Sequence, residues 1–254
     1  MDAQSAKNLP GMTDERREEI AGKLEKLRAD VRAAEERAGR EPGSVSILPV
    51  TKFHPAADAA ILAELGITLV GENREQEARG KVEELAAAGV ELDFAMIGQI
   101  QSKKANAVAR WASEVHSVDS VKLAHGLDRG MGLALERGDR TGSTLPCLIQ
   151  LSFDGDAARG GVPHDDAEAV DAVVAAVEEA EHLLFDGFMV VPPLDADPGE
   201  VFAASKSICD SYAGKHGRPL RLSAGMSGDF EEAIAQGSTV VRVGTGLLGK
   251  RPVG

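Results

Sequence analysis

Apolar runs and helical patterns alternate along this chain. Short runs rich in Val, Ile and Leu predict strands near 45–51, 67–70, 93–97, 114–118, 146–151, 184–191, 220–223 and 239–243. Between them, apolar residues recur every three or four positions. This predicts helices near 55–65, 73–88, 102–110, 120–137, 164–180, 198–216 and 228–236. The pattern near 164–180 is the clearest, with Val170, Val173, Val174 and Val177 on one side. Asp197 is placed to cap the helix that follows it, and Pro198 to open it. Eight strands alternating with seven helices read as an α/β chain folded as a (β/α)8 TIM-type barrel. An open doubly wound sheet is the second reading, and the count of eight disfavours it.

An extra N-terminal helix is predicted from Thr13, which can cap it, with Asp14 and Glu15 suited to its positive end. Ile20, Leu24, Leu27 and Val31 give it one apolar face, and Gly39 and Pro42 end it. Residues 13–38 are expected to supply the missing eighth helix by packing on the barrel flank. Residues 1–12 are polar, carry Pro10 and Gly11, and are predicted to be disordered. With no linker and no low-complexity stretch, 1–254 reads as a single domain.

Composition narrows the function. The 254 residues are 43% hydrophobic but only 4% aromatic, so the core must be built from Ala, Val, Leu and Ile. A net charge of −13 argues against nucleic acid and anionic membranes, which need a basic footprint. Cys147 and Cys209 lack metal-ligand spacing and are expected to be buried thiols in a reducing cytoplasm. The N-terminus lacks a signal-peptide pattern, and no apolar run is long enough to span a membrane.

The candidate chemistry begins at Ser46-Ile47-Leu48-Pro49-Val50-Thr51-Lys52, an apolar run ending in a lysine, with Pro55 expected at the first position of the next helix. α/β folds keep their chemistry at the carboxyl ends of their strands. A partly desolvated lysine there can form a Schiff base with a carbonyl, although a solvated loop lysine is the commoner case. In a closed barrel the first and last strands are neighbours. Arg242 and the Gly244-Thr245 turn therefore emerge beside Lys52. The seventh strand runs into Ser223-Ala224-Gly225-Met226-Ser227-Gly228. The loops after strands seven and eight are the usual phosphate site of this fold. Their glycines and hydroxyls suit that task. An amine able to condense with an aldehyde, beside a phosphate cradle, indicates pyridoxal 5′-phosphate (PLP).

Those segments resemble the PLP homeostasis protein family, a single-domain barrel related to the N-terminal domain of alanine racemase. The resemblance is carried by Val50-Thr51-Lys52, Gly71-Glu72-Asn73-Arg74-Glu75-Gln76-Glu77, Ile97-Gly98-Gln99-Ile100-Gln101-Ser102, His116-Ser117-Val118-Asp119 and Gly187-Phe188-Met189. To these add 223–229 and 237–245. It implies that Lys52 carries the Schiff base, that Ser223, Ser227, Gly244 and Thr245 hold the phosphate, and that Arg242 faces the pyridine nitrogen. Gly225 and Met226 belong to the same cofactor-binding set. Asn73 would lie near the cofactor, although an asparagine there could equally cap a helix. His116 has two readings, a place near the ring or a satisfied core histidine, and Met189 is expected in the core.

The implied function is storage, buffering or delivery of PLP, with PLP-dependent apoenzymes as recipients, by a monomer or weak dimer. The alternative is a PLP-dependent amino-acid racemase. Racemisation needs a base on each face of the substrate. Alanine racemase-like enzymes take one from a second domain, which is not expected here because the chain ends at Gly254. The single tyrosine, Tyr212, reads as packing. A Schiff-base aldolase is a third reading, for which no acid–base partner is evident.

Overall fold

The computed structural model describes residues 9–154 and 159–250. The strands are β1 (Ser46–Pro49), β2 (Leu69–Glu72), β3 (Asp93–Met96), β4 (Glu114–Val118), β5 (Leu145–Ser152), β6 (Val162–Pro163), β7 (Leu183–Val190), β8 (Arg221–Ser223) and β9 (Val240–Val243). The helices are α1 (Asp14–Arg37), α2 (Ala56–Glu64), α3 (Glu75–Ala87), α4 (Ala105–Trp111), α5 (Val121–Arg137), α6 (Ala167–Glu178), α7 (Pro198–His216), α8 (Phe230–Ala235) and α9 (Thr245–Leu248), with a 3-10 turn before α4.

The sheet runs β1-β9-β8-β7-β5-β4-β3-β2 with every pairing parallel, and β6 attaches outside this path to β5. Val50 bridges Gly71, and the Thr51 N–H donates to the Gly71 carbonyl at 3.0 Å. That contact joins the ends of the path and closes eight staves into a barrel. All carboxyl ends therefore meet at one rim.

Side chains alternate across the staves. From β1, Leu48 packs inside the barrel with Ala95 and Val240, and Val50 and Lys52 follow at the same two-residue period. From β9, Val241 and Val243 face outward into a core shared with Ile20, Leu24, Ile61 and Leu247, while Arg242 points inward. A second outer core gathers Val173, Val177, Phe185, Phe188 and Phe202.

α1 behaves as the sequence predicts. Thr13 caps it by accepting from the Arg16 N–H, and its buried face is Ile20, Leu24, Leu27 and Val31. Arg16 grips Asp58 of α2 with two hydrogen bonds of 3.0 and 2.7 Å and donates to the Leu248 carbonyl of α9 at 2.9 Å. The helix thus lies on the flank between the first and last barrel helices. Asp197 caps α7 by accepting from the Glu200 N–H, and Pro198 opens it.

Three expectations change. Pro55 is the N-cap of α2, not its first residue, because its ψ of 161° is extended. Leu9 is buried against the α1–α2 core, so the expected disorder fails for 9–12; the remainder of that segment, 1–8, lies outside the described residues. β6 and α9 were not anticipated, being two and four residues long and too short to show a period. Cys147 and Cys209 are buried free thiols, as expected. Among the described residues no helix is long and apolar enough to cross a membrane.

Candidate functional site

At the carboxyl rim, Lys52, Asn73, Met226, Ser227, Gly228, Arg242, Gly244 and Thr245 surround one cavity of about 390 Å³, with Val50, Ile97 and Val191 as its apolar walls. That volume lies within the usual range for small-molecule sites, roughly 300–1,000 Å³. Lys52 lies just beyond the end of β1, Ser227 in the turn after β8, and Thr245 at the start of α9, which follows β9. Strand order alone makes them neighbours: β1 pairs with β9 in the register Leu48↔Arg242 and Pro49↔Val243, and β9 pairs with β8.

The turn after β8 needs its glycine. Gly225 has φ +90°, and a Cβ there would stand 2.5 Å from the Ala233 Cβ and 2.9 Å from the Phe230 Cα. A side chain would push the turn off α8. Gly225 does not line the cavity. Its carbonyl instead accepts from the Arg242 backbone N–H at 2.9 Å, tying the two phosphate-side segments together. Ser227 Oγ accepts from the Gly246 N–H at 3.2 Å, a second tie across the same gap. The Met226 N–H donates to Asp229, which steadies the turn.

Arg242 is 4% exposed, and among the described residues its guanidinium bonds a hydroxyl and a backbone carbonyl. Its Nη1 donates to Ser223 Oγ at 2.8 Å and its Nη2 to the Val190 carbonyl at 2.8 Å. Burial pushes its pKa down to about 10, partly offset by Asp229. It therefore remains a cation at neutral pH.

Ser223, expected at the phosphate side, does not line this cavity. Its hydroxyl is fully buried inside the barrel, outside the cavity lining, with Arg242 on one side and His116 Nδ1 at 3.3 Å on the other. A serine at the end of a stave points inward, whereas one four residues on, in the turn, reaches the rim. Ser223 thus holds Arg242, while Ser227 and Thr245 bring hydroxyl side chains to the cavity lining. His116 resolves as a satisfied interior histidine. Its Nε2 lies 2.9 Å from Glu114, which can only accept, so neutral His116 carries its proton on Nε2. Nδ1 then accepts from the Ser223 hydroxyl. Burial lowers the His116 pKa, and Glu114 only partly offsets this.

Asn73 lines the cavity and does not cap α3, whose N-cap is Arg74 without a side-chain bond. Its backbone is held close: a Cβ on Gly98 would meet the Asn73 carbonyl oxygen at 2.2 Å. Met189 is buried at 1% exposure and borders a neighbouring cavity that shares Asn73, Ile97 and Val191. Tyr212 packs on Phe185 and Phe188 and donates to Asp171 at 2.6 Å, away from the cavity.

Sequence reading missed the support beneath Lys52. Thr51 is fully buried and its hydroxyl donates to Glu72, which is also fully buried. Lys81 of α3 reaches Glu72, Glu77 and the Thr51 carbonyl. Glu72 and Glu77 lie in a segment singled out by its resemblance, but no period or spacing gives them a role. The two-residue alternation through 48, 50 and 52 could have placed Val50 in the lining.

The residues fit a phosphorylated aldehyde: a primary amine on one wall, hydroxyls and glycine backbone on the facing wall, and a buried cation at the side. The chain matches the family model described as alanine racemase, N-terminal domain, over residues 23–252. It is 52% identical over 227 residues to a pyridoxal phosphate homeostasis protein of Corynebacterium glutamicum, covering 89% of this chain and 100% of that one. The protein of the same name in Mycobacterium tuberculosis is 45% identical over 245 residues, covering 93% and 95%. Among solved structures, PipY of Synechococcus elongatus with PLP bound has a TM-score of 0.75 at 31% identity, covering 91% of this chain and all of that one.

Proposed function

This chain belongs to the alanine racemase N-terminal domain family, alongside the pyridoxal phosphate homeostasis proteins, and from that premise we propose that it binds PLP and acts in PLP homeostasis, storing, buffering or delivering it. One observation carries the reading: Lys52, Arg242, Ser227, Gly244 and Thr245, brought from three barrel staves, line a single cavity. Bound PLP supplies an aldehyde that condenses with a primary amine and a pyridine ring that withdraws electrons from it. Lys52 is the amine that would hold the aldehyde. Ser227, Thr245 and the backbone of Gly228 and Gly244 would hold the phosphate. Arg242, cationic and rigidly bonded, would face the ring nitrogen and keep it unprotonated, which makes the ring a poorer electron sink.

Holding suits this cavity better than turnover. Among the described residues lining it, Lys52 and Arg242 are the titratable ones, so no second base faces Lys52. PLP-dependent apoenzymes are the proposed recipients, in the cytoplasm, from a single domain that is a monomer or weak dimer.

Purified protein titrated with PLP is expected to turn yellow and to yield a borohydride-trappable adduct on Lys52, which Lys52→Ala abolishes. A wild type that stays colourless with PLP sinks the reading. Deuterium exchange at the α-carbon of a panel of amino acids separates holding from catalysis; slow exchange is expected, and fast exchange would favour the racemase.

A further inference from the structure

We propose that Lys81 is a positioning residue for Lys52, fixing the backbone from which the Lys52 side chain springs. The inference rests on the reading above that Lys52 holds the aldehyde.

Lys81 sits mid-helix on α3 and is only 6% exposed. A buried ammonium has three N–H donors to satisfy. Lys81 satisfies them with the Thr51 carbonyl at 2.7 Å, Glu72 Oε1 at 2.6 Å and Glu77 Oε1 at 2.9 Å. The first of these is the carbonyl of the peptide group that enters Lys52. The peptide group that leaves Lys52 is held from the same helix, because the Phe53 N–H donates to Glu77 Oε1. Both peptides flanking Lys52 therefore end on α3, and Lys81 bonds one directly and the other through Glu77.

The conformation held in this way is costly. Phe53 has φ +66°, the one non-glycine residue in the left-handed region among those described. For a bulky side chain this conformation is strained and persists only where its surroundings over-determine it. Here the surroundings are Glu77 on its N–H, the Arg74 guanidinium 5.1 Å from its ring centre, and the Thr51 hydroxyl locked to Glu72. Lys81 joins the two carboxylates and the carbonyl into one unit. A strand end would otherwise begin to fray at this point, and a long flexible lysine can meet a bound aldehyde repeatedly only if its Cα stays in place.

The experiment compares two ligands. PLP can bond Lys52; pyridoxine 5′-phosphate presents the same phosphate and ring without the aldehyde. For Lys81→Met, the affinity advantage of PLP over pyridoxine 5′-phosphate is expected to fall by about tenfold or more, with borohydride trapping at Lys52 slowed, while pyridoxine 5′-phosphate affinity holds to within about threefold. A merely structural lysine would lower the affinity for both ligands together, or for neither. Thermal melts without ligand report the stability change separately. If Lys81→Met fails to fold, Glu77→Ala decides, since it releases the Phe53 N–H and leaves Lys81 two acceptors; the same selective loss is expected. An unchanged ratio in the folded variant overturns the inference. A wild type with no advantage for PLP over pyridoxine 5′-phosphate overturns instead the cofactor reading beneath it.

Discussion

Arg242 shows how much a single side chain depends on its neighbours. It is a cation inside a barrel, and among the described residues a hydroxyl and a carbonyl accept its hydrogen bonds. Ser223→Ala would leave both Arg242 Nη1 and His116 Nδ1 without that partner. The expected cost is about 1–3 kcal/mol in thermal or denaturant unfolding, with weaker PLP binding. His116 gives the pH dependence. Its folded pKa is depressed below the ordinary 6.5 by burial. The unfolded chain therefore takes up a proton first as pH falls. The stabilisation is whole above pH 6.5 and is lost on acidification from there toward the lower folded value. Melting temperature should drop across that window, and His116→Asn, which cannot titrate, should flatten the drop. An unchanged slope in the variant would show that other groups govern the acid limb. At this scale the meeting of Lys52, Arg242, Ser227 and Thr245 around one cavity was legible from strand-end and loop position. Ser223 was not, because the inward or outward aim of a serine is fixed by stave register, not by its neighbours in sequence.

Elements bring their own sensitivities. The turn between β8 and α8 can close only over a residue without a side chain at 225. Gly225→Ala is expected to displace Met226 and Ser227 and to weaken PLP binding by at least about tenfold, more than it lowers melting temperature. α1 offers a contrasting test. Asp58 is 3% exposed and depends on the two-pronged grip of Arg16. Arg16→Ala should destabilise by about 2 kcal/mol, since it strips one partner from a buried charge, while leaving the rim and its PLP titration unchanged. A loss of binding at full stability would contradict the placement of α1 as a flank. Apart from β6 and α9, element existence was readable because the helices carry an apolar face and the strands an apolar run. Where elements end was less so: helix α3 starts two residues after the expected 73, because the chain must first turn Asn73 into the rim.

The whole molecule is needed to make the cavity. Its walls come from residues about 190 positions apart, and they meet only when the Val50–Gly71 bridge and the β1–β9 pairing close the barrel. Cofactor binding should therefore report global folding. PLP is expected to raise the melting temperature with concentration, adding about 2.7 kcal/mol at a hundredfold excess over Kd. Loss of the PLP absorbance band should coincide with loss of secondary structure on heating. Separate transitions would mean that the rim opens before the barrel does.

The sequence by itself determined the alternation of strand and helix, the capping of α1 and α7, and the order of the residues at the strand ends. All of these follow from local periodicity and the chemistry of single residues. Tertiary structure decided what those local rules do not encode: which serine lines the cavity, what Arg242 hydrogen-bonds, and that Lys81 and Glu77 on a neighbouring helix hold the peptides on the two sides of Lys52. Such contacts join residues distant in the chain, and their geometry exists only once the staves have taken their register.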